Sequence, residues 1–219
     1  YLVSNGDDAV LIDPVWDHID HYRAILEQRS LTLIACMATH THADHITACF
    51  SLSNEHDIPY IMWKDTPSLG VTLFVDESTK LNVAGMDFSF HHVPGHTQDS
   101  MIIEIDNHIF TGDFLFNGEA GVGRDDLPSG RLEEHWSSLK VFSRFSDDVL
   151  VCSGHEPPST ELQTLGWNRI HNPILSMKSL EEFTVWQKDS VEKLGSVSKI
   201  QVALPANILA EIPDEIPWL

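Results

Sequence analysis

The segment with the highest density of reactive side chains is residues 39–45, Thr-His-Thr-His-Ala-Asp-His. It follows directly on an apolar run that predicts a β-strand. Three histidines and an aspartate this close together are not all expected to point into an apolar core. On a loop at a strand end, alternate side chains can instead converge on one point. Neutral imidazole and carboxylate groups suit zinc or iron. The pattern therefore predicts a metal site that includes His40, His42, Asp44 and His45.

Three later segments repeat this order of apolar strand, turn and ligand. His96 ends a Pro-Gly-His turn, Asp113 ends a Thr-Gly-Asp turn and His155 ends a Ser-Gly-His turn. The glycines allow the backbone to turn tightly beside a metal. Each segment is a weak signal alone, but their shared order predicts that all three residues belong to the same site as the first cluster.

Short apolar runs alternate with turn signals and helical patterns along residues 1–155, which predicts an α/β body. The predicted strands are 1–4, 9–12, 31–37, 58–62, 87–90, 101–105, 108–110 and 149–152. The predicted helices are 19–28, 46–56 and 132–145, followed by 162–168 and 180–194 in the tail. We expect a single domain, 1–219, in which the metal-binding body, 1–155, has two sheet-containing halves and residues 156–219 form a helical extension packed on it.

Composition narrows the classes of partner. The net charge is −20, from 13 Lys and Arg against 33 Asp and Glu, and such a field repels phosphate backbones and anionic bilayers. We therefore expect no nucleic-acid or membrane partner. Cys36, Cys49 and Cys152 are predicted to be buried reduced thiols, which favours a cytoplasmic location. Because the chain begins with Tyr1 rather than Met, a targeting segment that has been removed stays an alternative.

The order of these ligand types resembles the metallo-β-lactamase superfamily. The resemblance implies an αβ/βα sandwich, in which two mixed β-sheets are flanked by helices, with a short C-terminal helical extension. It also implies two ligand sets for the binuclear members. The first metal would take His40, His42 and His96, the second would take Asp44, His45 and His155, and Asp113 would bridge them.

Further motifs resemble one branch of that superfamily, the persulfide dioxygenases. They are His-Ala-Asp-His-Ile-Thr at 42–47, Gly-Val-Gly-Arg-Asp-Asp at 121–126, Asn-Pro at 172–173 and Ala-Leu-Pro-Ala-Asn at 203–207. This resemblance implies one Fe(II) per chain on His40, His96 and Asp113, and oxidation of glutathione persulfide, or a related thiol persulfide, to sulfite. The other four residues would then orient ligands, hold water and relay protons, with Asp44 and Asp113 as the catalytic carboxylates.

The chain departs from that branch mainly on the substrate side. Val122 stands in place of a Cys, Asp125 in place of a Thr and Leu127 in place of an aromatic residue. Residues 117–120 are extra, Gln-Asp at 98–99 replaces Pro-Gly, and His-Glu-Pro at 155–157 replaces His-Asp-Tyr. These differences keep two alternatives open. One is a binuclear zinc hydrolase of a thioester, lactone or related ester, similar to glyoxalase II. The other is a member of the superfamily that has no functional metal, or that binds a ligand without catalysis.

Arg124 is the candidate contact for a substrate carboxylate, because a guanidinium binds such a group through two parallel hydrogen bonds. The alternative is a surface arginine paired with Asp125 or Asp126. The expected partner is a small thiol or thioester, such as glutathione persulfide. For the oligomeric state, a homodimer stays an alternative to a monomer.

Overall fold

A computed structural model describes residues 1–156 and 160–219. The described chain divides into two compact units. Unit 1 contains Tyr1–Val75, Leu81–Asp87 and Val197–Leu219, and unit 2 contains Asp76–Lys80 and Phe88–Ser196. The predicted extension is thus shared between the units: its last part belongs with the N-terminal sheet and its first part with the other sheet. That the chain forms a single domain stays a prediction.

The described residues contain eleven strands and seven α-helices. The strands are β1 (Leu2–Asn5), β2 (Asp8–Ile12), β3 (Thr32–Met37), β4 (Tyr60–Trp63), β5 (Leu73–Val75), β6 (Lys80–Val83), β7 (Met86–His92), β8 (Met101–Ile105), β9 (His108–Gly112), β10 (Leu150–Ser153) and β11 (Gln163–Thr164). The helices are α1 (Ile19–Gln28), α2 (Cys49–His56), α3 (Leu132–Ser138), α4 (Leu165–His171), α5 (Pro173–Ser176), α6 (Leu180–Leu194) and α7 (Ile200–Leu209). Three 3₁₀ segments, Trp16–His18, Gly118–Ala120 and Leu139–Arg144, complete the set of described helical elements.

The first sheet has the strand order β1-β2-β3-β4-β5. Strands β2, β3, β4 and β5 are parallel to one another, whereas the edge strand β1 is antiparallel to β2. The carboxyl ends of parallel strands lie at the same edge of a sheet. The register pairs Ile12 with Met37, so the residue after β2, Asp13, lies beside the start of the histidine-rich loop after β3.

The second sheet has the order β11-β10-β9-β8-β7-β6. Strand β8 is antiparallel to both β7 and β9, so β7 and β9 point the same way, and β10 is parallel to β9. The turns after β7, β9 and β10 therefore lie at one sheet edge, and these are the turns that carry His96, Asp113 and His155. The register pairs Ser153 with Gly112, which fixes the last two ligand turns side by side.

Both sheets are mixed and have helices in their own units, which confirms the predicted α/β class. Several boundaries differ from the sequence prediction. The helix predicted to begin at residue 46 begins at Cys49, because Ile46 and Ala48 are hydrogen-bonded to the segment after β2 through Trp16 and Pro14. The helix predicted for 132–145 is α-helical only to Ser138 and continues as a 3₁₀ segment.

Short strands account for most of the missed elements. Strands β5, β6 and β11 have two to four residues each, too few for a clear alternating pattern. The tail contains a further helix, α7, that the sequence prediction did not include. The three cysteines are free and buried, as predicted. In the part of the chain that the structure describes, no helix combines the length and apolarity needed to cross a bilayer.

Candidate metal centre

The loop after β3 holds its histidines in the interior of unit 1. His40 and His42 are buried, and their ring centroids are 4.1 Å apart. The ring of His45 lies 4.2 Å from that of His42. One ligand atom from each of His42, Asp44 and His45 lies within 4.8 Å of the others. Two imidazoles and a carboxylate at this spacing can hold a divalent cation.

Asp13 organises this loop, and the sequence analysis did not single it out. Its Oδ1 accepts the backbone N–H of Thr39 at 2.7 Å and lies 3.1 Å from His42 Nε2, and its Oδ2 accepts the Thr39 hydroxyl at 2.8 Å. Burial acts to raise the pKa of Asp13, but the charge and hydrogen bond of His42, with the two bonds from Thr39, lower it overall. The residue is an ionised acceptor inside the unit. The available signal was its position directly after an apolar strand.

The hydrogen bonds of Asp13 also determine which imidazole nitrogens face a metal. An ionised carboxylate only accepts, so the neutral form of His42 carries its proton on Nε2 and presents a lone pair on Nδ1. The hydroxyl proton of Thr39 is likewise given to Asp13. The same hydroxyl oxygen, 3.0 Å from His40 Nδ1, therefore accepts from that nitrogen. His40 is left with a lone pair on Nε2, the form that binds metals.

His45 is kept neutral by its surroundings. Burial lowers its pKa, and the neighbouring charge of His42 lowers it further, against the opposing effect of Asp44. Its Nδ1 lies 3.1 Å from an oxygen of Asp44, whereas Nε2 is buried and has no hydrogen-bond partner among the described residues. A buried nitrogen without a partner is costly, and a bound cation would satisfy it.

In unit 2 the carboxylate of Asp113 lies between two imidazoles. Its Oδ2 is 3.6 Å from His96 Nε2 and 3.2 Å from His155 Nε2. His96 donates from Nδ1 to the backbone carbonyl of Arg124 at 2.6 Å, so its Nε2 carries the lone pair. His96 is buried, whereas the His155 side chain is 55% exposed. This geometry suits a carboxylate that is shared by two metal positions or that relays protons to solvent.

Two glycines make this close packing possible. The N–H of Gly123 donates to the carbonyl of Asp113 at 2.8 Å, and a Cβ at position 123 would lie 2.9 Å from His96 Nδ1. The N–H of Gly154 donates to the carbonyl of Gly112 at 2.9 Å, and a Cβ at position 154 would collide with Asp113 Oδ1. Both positions require glycine because the backbone itself contacts the candidate ligands.

The Arg124 side chain is held by protein groups. Its Nε and one terminal nitrogen donate to the two carboxylate oxygens of Asp126 at 2.6 and 2.7 Å, and the other terminal nitrogen donates to the carbonyl of Gly195 at 2.8 Å. The hydrogen bond raises the pKa of Arg124 and lowers that of Asp126. Burial raises the pKa of the adjacent Asp125 to about 6. Pairing with Asp126 was the alternative interpretation of this arginine, and contact with a substrate stays a prediction.

The motif after β10 departs from the persulfide dioxygenase pattern, and the structure describes its first two residues. The Glu156 carboxylate accepts hydrogen bonds from Ser153 at 2.6 Å and from Asn117 at 2.7 Å. It is thus tied to the strand end and to the extra segment 117–120. Pro157, which replaces the expected Tyr, lies outside the described residues.

The sequence that carries these candidate ligands matches a known protein family. Residues 1–155 match the family model of the metallo-β-lactamase superfamily. The chain belongs to this superfamily and has its fold. Members of the superfamily are metal-dependent enzymes, and the neutral imidazoles and ionised carboxylates described above fit that chemistry.

Individual relatives point to two activities. The chain is similar to the crystal structure of ETHE1 from Myxococcus xanthus, with 30% identity, a TM-score of 0.87, and coverage of 96% of this chain and 92% of that one. It is 29% identical to TTHA1623, solved in a di-iron-bound form, with a TM-score of 0.66 and coverage of 80% and 93%. It is also 30% identical to a hydroxyacylglutathione hydrolase of Hamiltonella defensa over 71% of this chain, but spans only 60% of that relative's length.

We predict that Asp13→Ala weakens metal binding without preventing folding. The change removes the acceptor that orients His42 and the main-chain N–H of Thr39, and loss of such a partner typically costs about 10- to 100-fold in metal affinity. The measurement is competition for Fe(II) against a chelator. The control is Asp57→Ala, since Asp57 is exposed and shares the left-handed backbone, with φ of 54° against 51°. Equal affinities in the two variants would contradict the role assigned to Asp13.

Proposed function

We propose that this protein is a persulfide dioxygenase that oxidises glutathione persulfide, or a related small thiol persulfide, to sulfite. The observation that carries the proposal is the extent of the similarity to ETHE1, a persulfide dioxygenase, which includes 96% of this chain and nearly all of the relative. The similarity to two hydroxyacylglutathione hydrolases covers less of each relative, 60% in one and 74% in the other. The match to ETHE1 is the more complete of these, which supports the dioxygenase.

The proposed metal ligands are His40, His96 and Asp113, the set that the resemblance to the persulfide dioxygenases implies. Two imidazoles and one carboxylate are the set that holds Fe(II) in non-haem oxygenases and leaves coordination positions open. When bound, Fe(II) supplies the site for the substrate thiolate and the activation of O₂. Thr39 and the carbonyl of Arg124 keep the two imidazoles in their ligating tautomers.

The remaining polar residues are proposed to orient groups and to move protons. His155 connects Asp113 to solvent, because its Nε2 is 3.2 Å from the carboxylate and over half of its side chain is exposed. Asp44 and His45 form a second contact of this kind at 3.1 Å, and the Asp44 side chain is 37% exposed. A persulfide that enters as a thiol can lose its proton through either pair.

A second candidate is a binuclear zinc hydrolase of a glutathione thioester. It is favoured by the close grouping of His42, Asp44 and His45, of which Asp44 and His45 would be ligands of a second metal, and by the hydroxyacylglutathione hydrolase relative. In this scheme Asp113 would be shared by the two metals, and His155 would complete the second set. Two cations held there would supply Lewis-acid activation of water for hydrolysis of the thioester.

The first test of the dioxygenase is oxygen uptake. We expect protein purified without added metal to hold about one iron per chain, and O₂ to be consumed when glutathione persulfide is added. An oxygen electrode and elemental analysis make the measurement. Asp113→Ala is the negative control, because both schemes lose a ligand there. Two zinc ions per chain, thioester cleavage and no oxygen uptake by an iron-loaded sample would assign the protein to the hydrolases.

Replacement of His155 distinguishes the two schemes through metal content alone. In a dioxygenase, His155→Ala should leave iron bound, because the proposed triad is intact. In a hydrolase, the same variant should lose most of its second metal. Elemental analysis of the variant beside the wild type decides between them, and loss of iron from His155→Ala would contradict the single-iron assignment.

Arg124 is proposed to contact a carboxylate of the substrate in addition to Asp126. Loss of one charge-assisted bond costs about 1.5–3 kcal/mol, roughly a 10- to 150-fold loss of kcat/KM, mostly through KM. We therefore expect Arg124→Ala to raise KM for glutathione persulfide at unchanged metal content. Asp126→Ala is the matched control, since it removes the same ion pair and keeps the guanidinium. An equal KM in both variants and the wild type would show that Arg124 only braces its loop.

A further inference from the structure

Helix α7, near the C-terminus, presents a small buried face inside unit 1. Ala203, Ala206 and Asn207 are buried along it, at the i, i+3 and i+4 spacing of one helix face, whereas Pro205 is exposed on the other side. Two alanines next to the asparagine allow the helix backbone to approach its neighbours closely. Asn207 is a polar residue in this apolar face, so its side-chain amide requires partners.

In the described residues, the hydrogen-bond partners of the Asn207 side chain all lie in the segment of residues 42–47. Its Oδ1 accepts the backbone N–H of Thr47 at 2.9 Å. Its Nδ2 donates to the carbonyls of His42 and His45, at 2.9 Å each. The amide therefore makes three hydrogen bonds, with both of its N–H donors and one lone pair of its oxygen. Its partners lie 160 or more positions earlier in the chain.

We propose that Asn207 is a positioning residue of the metal centre, which fixes the backbone of the loop that carries His40, His42 and His45 before a metal binds. The inference rests on the proposed metal centre. His42 is then held at two points, its ring by Asp13 and its carbonyl by Asn207. Ordering a loop in advance removes an entropic cost that metal binding would otherwise carry.

The isosteric change Asn207→Asp tests the donors specifically. An aspartate has almost the same shape, but it places acceptor oxygens against the carbonyls of His42 and His45 and leaves both without their donor. The loop is then repelled from α7 at the two carbonyls, whereas the apolar contacts of Ala203 and Ala206 stay. The metal ligands themselves are unchanged by this substitution.

Asn168 provides a matched control in unit 2. It is as buried as Asn207, with 0% exposure against 2%. Its Nδ2 donates to Asn117 Oδ1 at 2.7 Å and to the carbonyl of Thr164 at 3.0 Å, and its Oδ1 accepts the N–H of Gly118 at 2.9 Å. The same number of bonds is therefore made outside the histidine-rich loop and the 121–126 run. Asn168→Asp should reproduce the general cost of a buried amide-to-carboxylate change.

The experiment compares wild type, Asn207→Asp and Asn168→Asp in two measurements. Urea unfolding of the metal-free proteins gives the stability loss, which we expect in both variants. Competition with a chelator gives the affinity for Fe(II) and, separately, for Zn(II). We expect Asn207→Asp to bind each metal about 10- to 100-fold more weakly than Asn168→Asp does. A purely structural role would lower stability and leave the affinities of the two variants equal.

Each outcome bears on a distinct statement. If the wild type binds neither metal, the proposed metal centre fails. If the wild type binds metal and Asn207→Asp matches Asn168→Asp in affinity, the centre stands and the positioning role of Asn207 is overturned. If Asn207→Asp does not yield folded protein, Asn207→Ser and Asn168→Ser are compared by the same two measurements and the same criteria.

Discussion

The ionised carboxylate of Asp13 is the interaction on which the histidine-rich loop depends. It accepts bonds from the backbone and hydroxyl of Thr39 and from His42, and through that hydroxyl it also determines the tautomer of His40. A buried charge is tolerated only where hydrogen bonds compensate its lost hydration. These bonds supply that compensation and, in the same geometry, present imidazole lone pairs for a metal. The constraint of satisfying one carboxylate thus defines the chemistry of the loop.

In unit 2, backbone groups rather than a buried carboxylate orient the candidate ligands. His96 is oriented by the carbonyl of Arg124, and Gly123 donates its N–H to Asp113. The 121–126 run therefore acts on the candidate ligands through its main chain, and its side chains are free to serve other purposes. Val122, which stands where the persulfide dioxygenases have a cysteine, is part of the apolar core of unit 2. The departure at this position falls on packing rather than on the ligand set.

The tail of the chain contributes buried amides to both units. Asn172 and Gln187 donate to the carbonyls of Gly121 and Gly123, and Asn207 donates to those of His42 and His45. Each amide ties a loop that has no regular secondary structure of its own. Such loops need these bonds, because their backbone groups are otherwise unsatisfied away from water.

The sequence by itself determined the α/β class, and it predicted the types and the order of the candidate ligands. Each candidate ligand follows an apolar strand and a short turn, and parallel strands place such turns at one sheet edge, so local patterns were sufficient. Asp13, Asn207 and the pairing of Arg124 with Asp126 and Gly195 were decided only by the tertiary structure. Asp13 and Asn207 act on residues 26 to 165 positions away in the chain. Hydrogen bonds between such distant residues leave no periodic signal in a sequence, because they depend on which loops the folded sheets bring together.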